Sequence, residues 1–352
     1  MKKVFVGLSG GVDSSVSAYL LKKQGYNVVG VFIKVWYPEF VACNWRAEMR
    51  DAMKVCARLK IPFLLCDLEK EYKLGVFDYM IEEYKNGRTP NPDVMCNKEI
   101  KFKSFLNFAI QNNADFIATG HYAQNYKNSD EKFYLKKSID QQKDQTYFLW
   151  NLNQDILKRV LFPIGHLNKK DVRKIAGKAN LFTADKKDSQ GLCFIGHVDM
   201  KNFLKNYIEI NPGNVVDKKG NVIGKHEGAI FYTIGERHNF DIFHKKTTDK
   251  PFYVIDKDIS KNILIVAEEK NDASKERILI TNLNFINKPL SKLKNIEAVF
   301  RYRQKTQLFK IIGGDFENNI ELENNANEEV PTSGQSAVFY DGDICLGGGI
   351  IN

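Results

Sequence analysis

The fold turns on the stretch Val4-Phe5-Val6-Gly7-Leu8-Ser9-Gly10-Gly11-Val12-Asp13-Ser14-Ser15. An apolar run of strand length ends in a Ser/Gly turn, and a helix-like stretch from Ser14 to Gln24 follows at once. The two glycines let backbone come close to an anion, and the free N–H groups of a helix start, with the helix dipole, favour phosphate. The serine hydroxyls add donors, and Asp13 is placed to help hold Mg²⁺ against a pyrophosphate. No Lys-Ser/Thr pair closes the loop, so it is not a Walker A loop.

Outward from this stretch the same alternation continues. Val28 to Val35 precedes the helix-like Trp45 to Leu59, and Pro62 to Leu68, Lys101 to Asn112 and Asp115 to Thr119 extend the series. Strands alternating with helices predict an α/β domain, a doubly wound parallel sheet covered on both faces. Ligands of such sheets sit beyond the carboxyl ends of the strands, so the loops after Leu8, Val35, Leu68 and Thr119 are expected to converge. From about Pro212 the texture changes to short strands and turns: Val215-Val216, Lys219-Gly220-Asn221, Val222 to Gly224, Phe252 to Ile255 and Ile263 to Ala267. This predicts a small β-rich central domain. Ile278 to Leu283, Ile296 to Arg303, Leu308 to Ile312, Ile320 to Glu323, Ser336 to Tyr340 and Ile344 to Ile351 follow, with Asp341-Gly342 as a hairpin signal. They predict a C-terminal β-barrel, giving domains at 1–200, 201–272 and 273–352.

With 352 residues the chain is long enough for two or three cores, and no apolar run approaches bilayer length. The first strand begins at Lys3, leaving no room for a secretory signal, so a cytoplasmic protein without membrane contact is expected. A net charge of +9 suits a polyanionic partner such as nucleic acid, and equally a solvated lysine-rich surface. The six cysteines, at 43, 56, 66, 96, 193 and 345, include no C-x-x-C and no zinc-ribbon spacing, so no structural metal site is indicated.

Two of those cysteines stand in distinctive surroundings. In Thr89-Pro90-Asn91-Pro92-Asp93-Val94-Met95-Cys96-Asn97 the prolines stiffen the approach to a helical stretch from Lys98 to Asn112. This presents Asp93 and Cys96 from a loop close to a helix N-terminus, where a thiol can become a nucleophile and a carboxylate its acid or base. Cys193, in Lys187-Asp188-Ser189-Gln190-Gly191-Leu192-Cys193-Phe194-Ile195-Gly196, follows a polar Gly-containing turn and suits a thiol on a loop that reaches inward. Each cysteine alone also reads as a buried hydrophobe.

The Ser9–Ser15 string resembles the PP-loop of ATP pyrophosphatases, which adenylate a carbonyl oxygen and release pyrophosphate. T-P-N-P-D-V-M-C-N-K-E-I-K-F, A-T-G-H-Y-A, K-D-Q-T-Y-F-L, K-D-S-Q-G-L-C-F-I-G and G-Q-S-A-V-F-Y-D-G-D follow it in the order seen in bacterial tRNA-specific 2-thiouridylases. The resemblance spans nearly the whole chain.

It implies an ATP-dependent sulfurtransferase acting on the wobble uridine, position 34, of the tRNA anticodon arm. ATP would lie on Gly7, Leu8, Ser9, Gly10, Gly11, Val12, Asp13 and Ser14, with Ile33, where the family commonly has methionine, and Gly120 closing the pocket. Asp93 is then the general acid/base, Cys96 the nucleophile and Cys193 the carrier of persulfide sulfur, loaded by a sulfur-relay protein or cysteine desulfurase. Asn91, Pro92 and Asp93 would surround a flipped base, and His121, Lys143, Asp144, Gln145, Arg301, Tyr302 and Gln335 match positions that meet tRNA. The run Arg301-Tyr302-Arg303-Gln304-Lys305 supports this by itself, with cations for phosphate and a ring for a base, although an alternating strand with a charged face reads equally well. An iron–sulfur cluster on Cys96 and Cys193 ranks below the persulfide route, because no third cysteine has motif spacing. The rival readings are an amidating or ligating PP-loop synthetase and a non-catalytic RNA-binding protein on the same fold.

Overall fold

A computed structural model describes residues 1–41, 45–187, 199–243, 250–269, 277–287, 293–324 and 331–352. Strands β1 (Lys3–Gly7), β2 (Asn27–Lys34), β3 (Phe63–Asp67) and β4 (Phe116–Ala118) pair in parallel. A hairpin of β5 (Ala123–Lys127) and β6 (Phe133–Lys137) and the short β7 (Val160–Leu161) follow. The parallel sheet runs β3-β2-β1-β4-β7, so strand order reverses beside β1 and opens a crevice between the ends of β1 and β4. Alternation along the strands sorts side chains onto two covered faces. Val4 and Val6 of β1, with Val28 and Phe32 of β2, pack on helices α1 (Val12–Lys23) and α2 (Trp45–Leu59). Phe5, Val29, Val31 and Ile33 pack on the other side with the helical residues Ile100, Phe102 and Phe105.

The central domain contains β8 (Gly213–Val216), β9 (Val222–His226), β10 (Asp241–Ile242), β11 (Tyr253–Asp258) and β12 (Ile263–Ala267) in the order β10-β9-β8-β12-β11. Only the β8–β12 pairing is parallel among these strands.

The C-terminal part is a closed ring of antiparallel strands. Its members are β13 (Arg277–Phe285), β14 (Asn295–Val299), β15 (Gln307–Gly314), β16 (Asn319–Glu323), β17 (Ser336–Asp341) and β18 (Ile344–Ile351). They follow the order β13-β16-β15-β14-β17-β18, and β18 returns to β13. Ile280, Phe309 and Phe339 fill the interior. Strand β17 is buried on both faces, Ala337 and Phe339 inside the ring, Val338 and Tyr340 in the core shared with the N-terminal domain. The ring continues past β18 into β6, where Cys345 lies opposite Leu135.

Three expectations need correction. Strand β14 stops at Val299, and residues 301–305 form a turn in which the Gln304 side chain accepts from the backbone N–H groups of Phe300 (2.9 Å) and Arg301 (3.1 Å). The hairpin turn lies one residue beyond Asp341-Gly342, because Asp341 is still paired with Ile344 and Gly342 (φ +55°) and Asp343 connect them. The helix expected from Lys98 starts at Pro92: Asn91 caps it, and proline at the first helical position needs no amide partner.

Candidate active site

The phosphate loop is built by the end of β1 and the start of α1. Gly10 stands at φ +71°, and a Cβ on it would lie 2.8 Å from the Glu48 carbonyl oxygen of α2, so only glycine fits there. Gly11 precedes α1 without giving it a side-chain cap, which leaves the first N–H groups of the helix without that partner. The Ser9 and Ser14 hydroxyls lie 3.3 Å apart, and Ser15 and Ser17 donate instead to the Gly11 and Asp13 carbonyls (2.6 and 2.9 Å). From the loop after β4, Gly120 presses on the helix start: a Cβ on it would stand 2.7 Å from the Ser14 nitrogen. Ile33 is buried beside Gly7, its Cδ1 3.7 Å from where a Gly7 Cβ would be.

Two lysines that the sequence reading passed over converge on this loop. Lys169 donates to both Asp13 oxygens (2.8 and 2.7 Å), and the Tyr122 hydroxyl donates to Oδ1 (2.8 Å). Lys186 donates to the Gly10 carbonyl (3.0 Å) and to Asp51 Oδ2 (2.9 Å). Burial alone would raise the Asp51 carboxyl, but the hydrogen bond and charge of Lys186 hold it below the usual carboxylate value. Arg173 ties the two together, because it sits on the helix Lys169–Lys178 and donates to the carbonyls of Ala184 (2.6 Å) and Lys186 (3.1 Å). One local signal was available. Lys169 occupies the first turn of a helix, where the dipole disfavours a cation.

Asp93 and Cys96 share one helix face, three residues apart. The Asn91 side chain accepts from the Val94 N–H (3.3 Å) and caps that helix. Cys96 is fully buried and Asp93 half-buried, and from Cys96 to Ser104 the helix is wound in wide π-type turns. Phe102 and Phe105 of the same run reach His121 and Gly7, so this helix and the phosphate loop are neighbours. Cys193 lies outside the described residues. Burial pushes the Cys56 thiol up to about 11 and those of Cys66 and Cys345 up to about 12, which makes them poor nucleophiles.

The residues expected to meet tRNA divide into two groups. His121 is buried, its Nδ1 hydrogen-bonded to the Thr119 hydroxyl at 2.7 Å, and burial, with Lys101 nearby, holds it well below the ordinary histidine value. Asp144 accepts from Ser138 N–H (2.9 Å) and the Thr146 hydroxyl (2.6 Å), and Gln145 exchanges two bonds with the Tyr122 backbone. Gln335 donates to the Thr89 (2.9 Å) and Pro90 (3.3 Å) carbonyls, so each of these three side chains makes at least one bond inside the molecule. Lys143, Arg301 and Tyr302 are half-buried at the surface, the Tyr302 ring 4.6 Å from that of Phe148. Among the described cavities, one lined by Lys22, Lys23 and Arg58 lies at the far end of the sheet. Lys22 and Arg58 there bond carbonyls at helix C-termini, which accounts for them.

Comparison with known proteins places the whole chain. Family models match in series: a tRNA methyl transferase HUP domain over residues 2–197, a tRNA methyl transferase PRC-barrel domain over 201–268 and an aminomethyltransferase beta-barrel domain over 275–351. The tRNA-specific 2-thiouridylase MnmA of Alkaliphilus oremlandii is 47% identical over 355 residues, covering 99% of this chain and 97% of that protein. The protein of that name from Listeria monocytogenes is 46% identical over 99% of this chain and 94% of its own length. MnmA 1 of Geobacillus kaustophilus is 46% identical over 100% and 95%. Among solved structures, the U34-tRNA thiolase NcsA from Methanococcus maripaludis aligns with a TM-score of 0.38 at 20% identity, over 58% of this chain and 64% of that one.

Proposed function

The chain belongs to the tRNA-specific 2-thiouridylase family, and on that premise we propose that it uses ATP to replace O2 of the wobble uridine, position 34 of tRNA, with sulfur. The observation that carries this reading is the packing of the helical run whose first turns bear Asp93 and Cys96 against the start of the phosphate loop, where the Phe105 ring lies 3.5 Å from where a Cβ on Gly7 would be. The uridine O2 displaces pyrophosphate from the α-phosphorus of ATP, which turns a poor leaving group into the oxygen of a departing AMP. Gly10, Gly11 and the first N–H groups of α1 take the phosphate charge where it is released. Asp13, the loop's own carboxylate, would hold Mg²⁺ only by giving up a bond to Lys169, and the ion would then supply further charge neutralisation on the phosphates. Gly120 closes the loop from the β4 side.

Sulfur then enters at C2 and AMP leaves. Cys193 carries that sulfur as a persulfide, received from a sulfur-relay protein or a cysteine desulfurase. Either its terminal sulfur adds to C2 and Cys96 then attacks the Cys193 sulfur, or Cys96 attacks first and frees sulfide that adds to C2. Both routes balance with a Cys96–Cys193 disulfide, which an external thiol must reduce. Asp93 moves the proton, and burial of Cys96 keeps water from the activated base. Lys143, Arg301 and Tyr302 hold the anticodon arm on a surface with cations and a ring.

Residues 1–200 thus form the catalytic domain, 201–272 the central domain and 273–352 the RNA-facing barrel. The cytoplasm, where tRNA and reducing thiols occur together, is the compartment this chemistry needs. No described helix is long and apolar enough to cross a membrane. Methyl transfer, the chemistry in the family-model descriptions, would have no use for an ATP loop beside a thiol.

The test is incubation with unmodified tRNA, ATP, Mg²⁺ and a persulfide donor, followed by nucleoside analysis. Wild type yields 2-thiouridine, whereas Cys96→Ser binds ATP but yields none. No product with wild type, or full product with Cys193→Ala, overturns the reading.

A further inference from the structure

Thr89 stands four residues ahead of Asp93, and through it all three domains of the chain meet. Its N–H donates to the Ser333 carbonyl of the barrel (2.8 Å), and its own carbonyl accepts from the Gln335 amide (2.9 Å), which also reaches the Pro90 carbonyl (3.3 Å). Its hydroxyl lies 3.2 Å from that of Thr233 in the central domain. Gly334 (φ +91°) lies directly against this residue: a Cβ there would stand 2.8 to 2.9 Å from the Thr89 nitrogen, carbonyl carbon and oxygen. Two residues earlier, buried Gly87 (φ +73°) is pressed by Ile259 of the central domain. Backbone and side chain of Thr89 are thus held from outside the domain to which it belongs.

The chain from Thr89 to Asp93 transmits that hold. Pro90 and Pro92 lock φ, and each restricts ψ of the residue before it, so these four residues carry little rotational freedom. Asn91, extended at φ −110° and ψ +92°, then caps the helix of Asp93 and Cys96. On the barrel side the grip runs back to the turn of Arg301 and Tyr302. The Arg301 guanidinium donates to the hydroxyl of buried Thr332 (3.4 Å), whose carbonyl accepts from the Gln335 N–H (3.1 Å). Every link from Arg301 to Asp93 is therefore a hydrogen bond, a close contact or restrained backbone.

We propose that residues 332–335 are a positioning segment: they carry the seating of RNA at Arg301 to Thr89 and Pro90, and so set where Asp93 stands. This rests on the thiolation reading and adds to it, since that chemistry assigns no task to Thr332 or Gly334. A displacement of the barrel by a fraction of an ångström moves Thr89 with it, because the Gly334 contact leaves no slack. Seating the barrel on RNA then fixes the base pocket in one arrangement, so binding and alignment occur together.

Two substitutions outside the proposed RNA contacts test this. Gly334→Ala forces the barrel off Thr89, and kcat should fall about tenfold, with ATP affinity and KM for tRNA within about twofold of wild type. Thr332→Val keeps the buried shape and removes only the hydroxyl; kcat should fall about fivefold, the worth of one buried hydrogen bond, again with KM little changed. It decides the matter where Gly334→Ala fails to fold. Hydrogen–deuterium exchange of the peptide ending at Pro90, whose last amide is that of Thr89, reads the grip without turnover. Saturating tRNA should slow exchange there in wild type and leave it unchanged in Thr332→Val. Wild-type kcat in a folded Gly334→Ala or in Thr332→Val, a loss confined to KM, or a tRNA response of exchange that is absent in wild type or intact in Thr332→Val would each overturn the proposal. Absence of 2-thiouridine with wild type would instead remove the thiolation reading, while exchange still reports on the grip.

Discussion

The phosphate loop and the cysteine helix adjoin, yet they are held in opposite ways. The loop takes its turn from one strand–turn–helix unit, and what closes on it, Glu48 of α2, Gly120, Lys169 and Lys186, comes from the same N-terminal domain. The helix bearing Asp93 and Cys96 takes its cap from Asn91, and the Thr89-Pro90 approach to that cap is held by Ser333 and Gln335, both of them barrel residues. A site made locally tolerates change elsewhere and fails abruptly when its own backbone is altered. A site aligned from a distance loses its function by degrees.

The sharpest way to break that contrast is Gly10→Ala, which meets both the positive φ and the Glu48 carbonyl. ATP affinity, measured by calorimetry, should fall by about 2 kcal/mol, roughly thirtyfold, with product formation falling alongside. Gln335→Ala probes the distant grip: turnover should drop by about fivefold as a buried hydrogen bond is lost, while ATP affinity stays at the wild-type value. Loss of ATP binding in that variant would erase the distinction between the two regions. The smallest effect concerns His121, on the wall between them. Its folded pKa lies well below the 6.5 of a free histidine, so the unfolded chain takes up the proton first. The native state is thus at full advantage above about pH 6.5 and loses it progressively as pH falls below that value. His121→Asn should flatten this part of the stability profile, followed by denaturant titration at several pH values, and leave neutral-pH stability less changed.

The same division decided what could be read from the sequence. The run Val4 to Ser15 announces its own strand, turn and helix, because the apolar run, the glycine pair and the helix start that signal them are adjacent. The barrel was legible from alternation and its final hairpin signal. β7, of two residues, and the polar-faced hairpin β5–β6 were not, since both exist through pairing with distant strands. Asn91-Pro92 read as a stiff loop, although a cap followed by proline is how a helix begins. Arg301 to Lys305 alternates like a strand, and only the Gln304 side chain bending back reveals the turn. Lys169 and Lys186 carry no local signature beyond the odd placement of a cation at a helix start. Their partners Asp13 and Gly10 stand 156 and 176 positions away. Gln335 reads as facing RNA, and its amide hydrogens also go to Thr89 and Pro90, a contact no spacing could announce.

The seam between β6 and β18 bears on how the molecule is made. Lys137, at the end of β6, donates to the carbonyl of Gly342 across 205 positions of chain. A ribosome therefore releases the catalytic half with the outer edge of β6 bare, and that edge stays so until β18 emerges. An unpaired strand edge is an invitation to the wrong neighbour. Nascent chains of this protein should accordingly need shelter late in translation, and a stop codon placed before β18 should yield aggregate rather than a free catalytic domain.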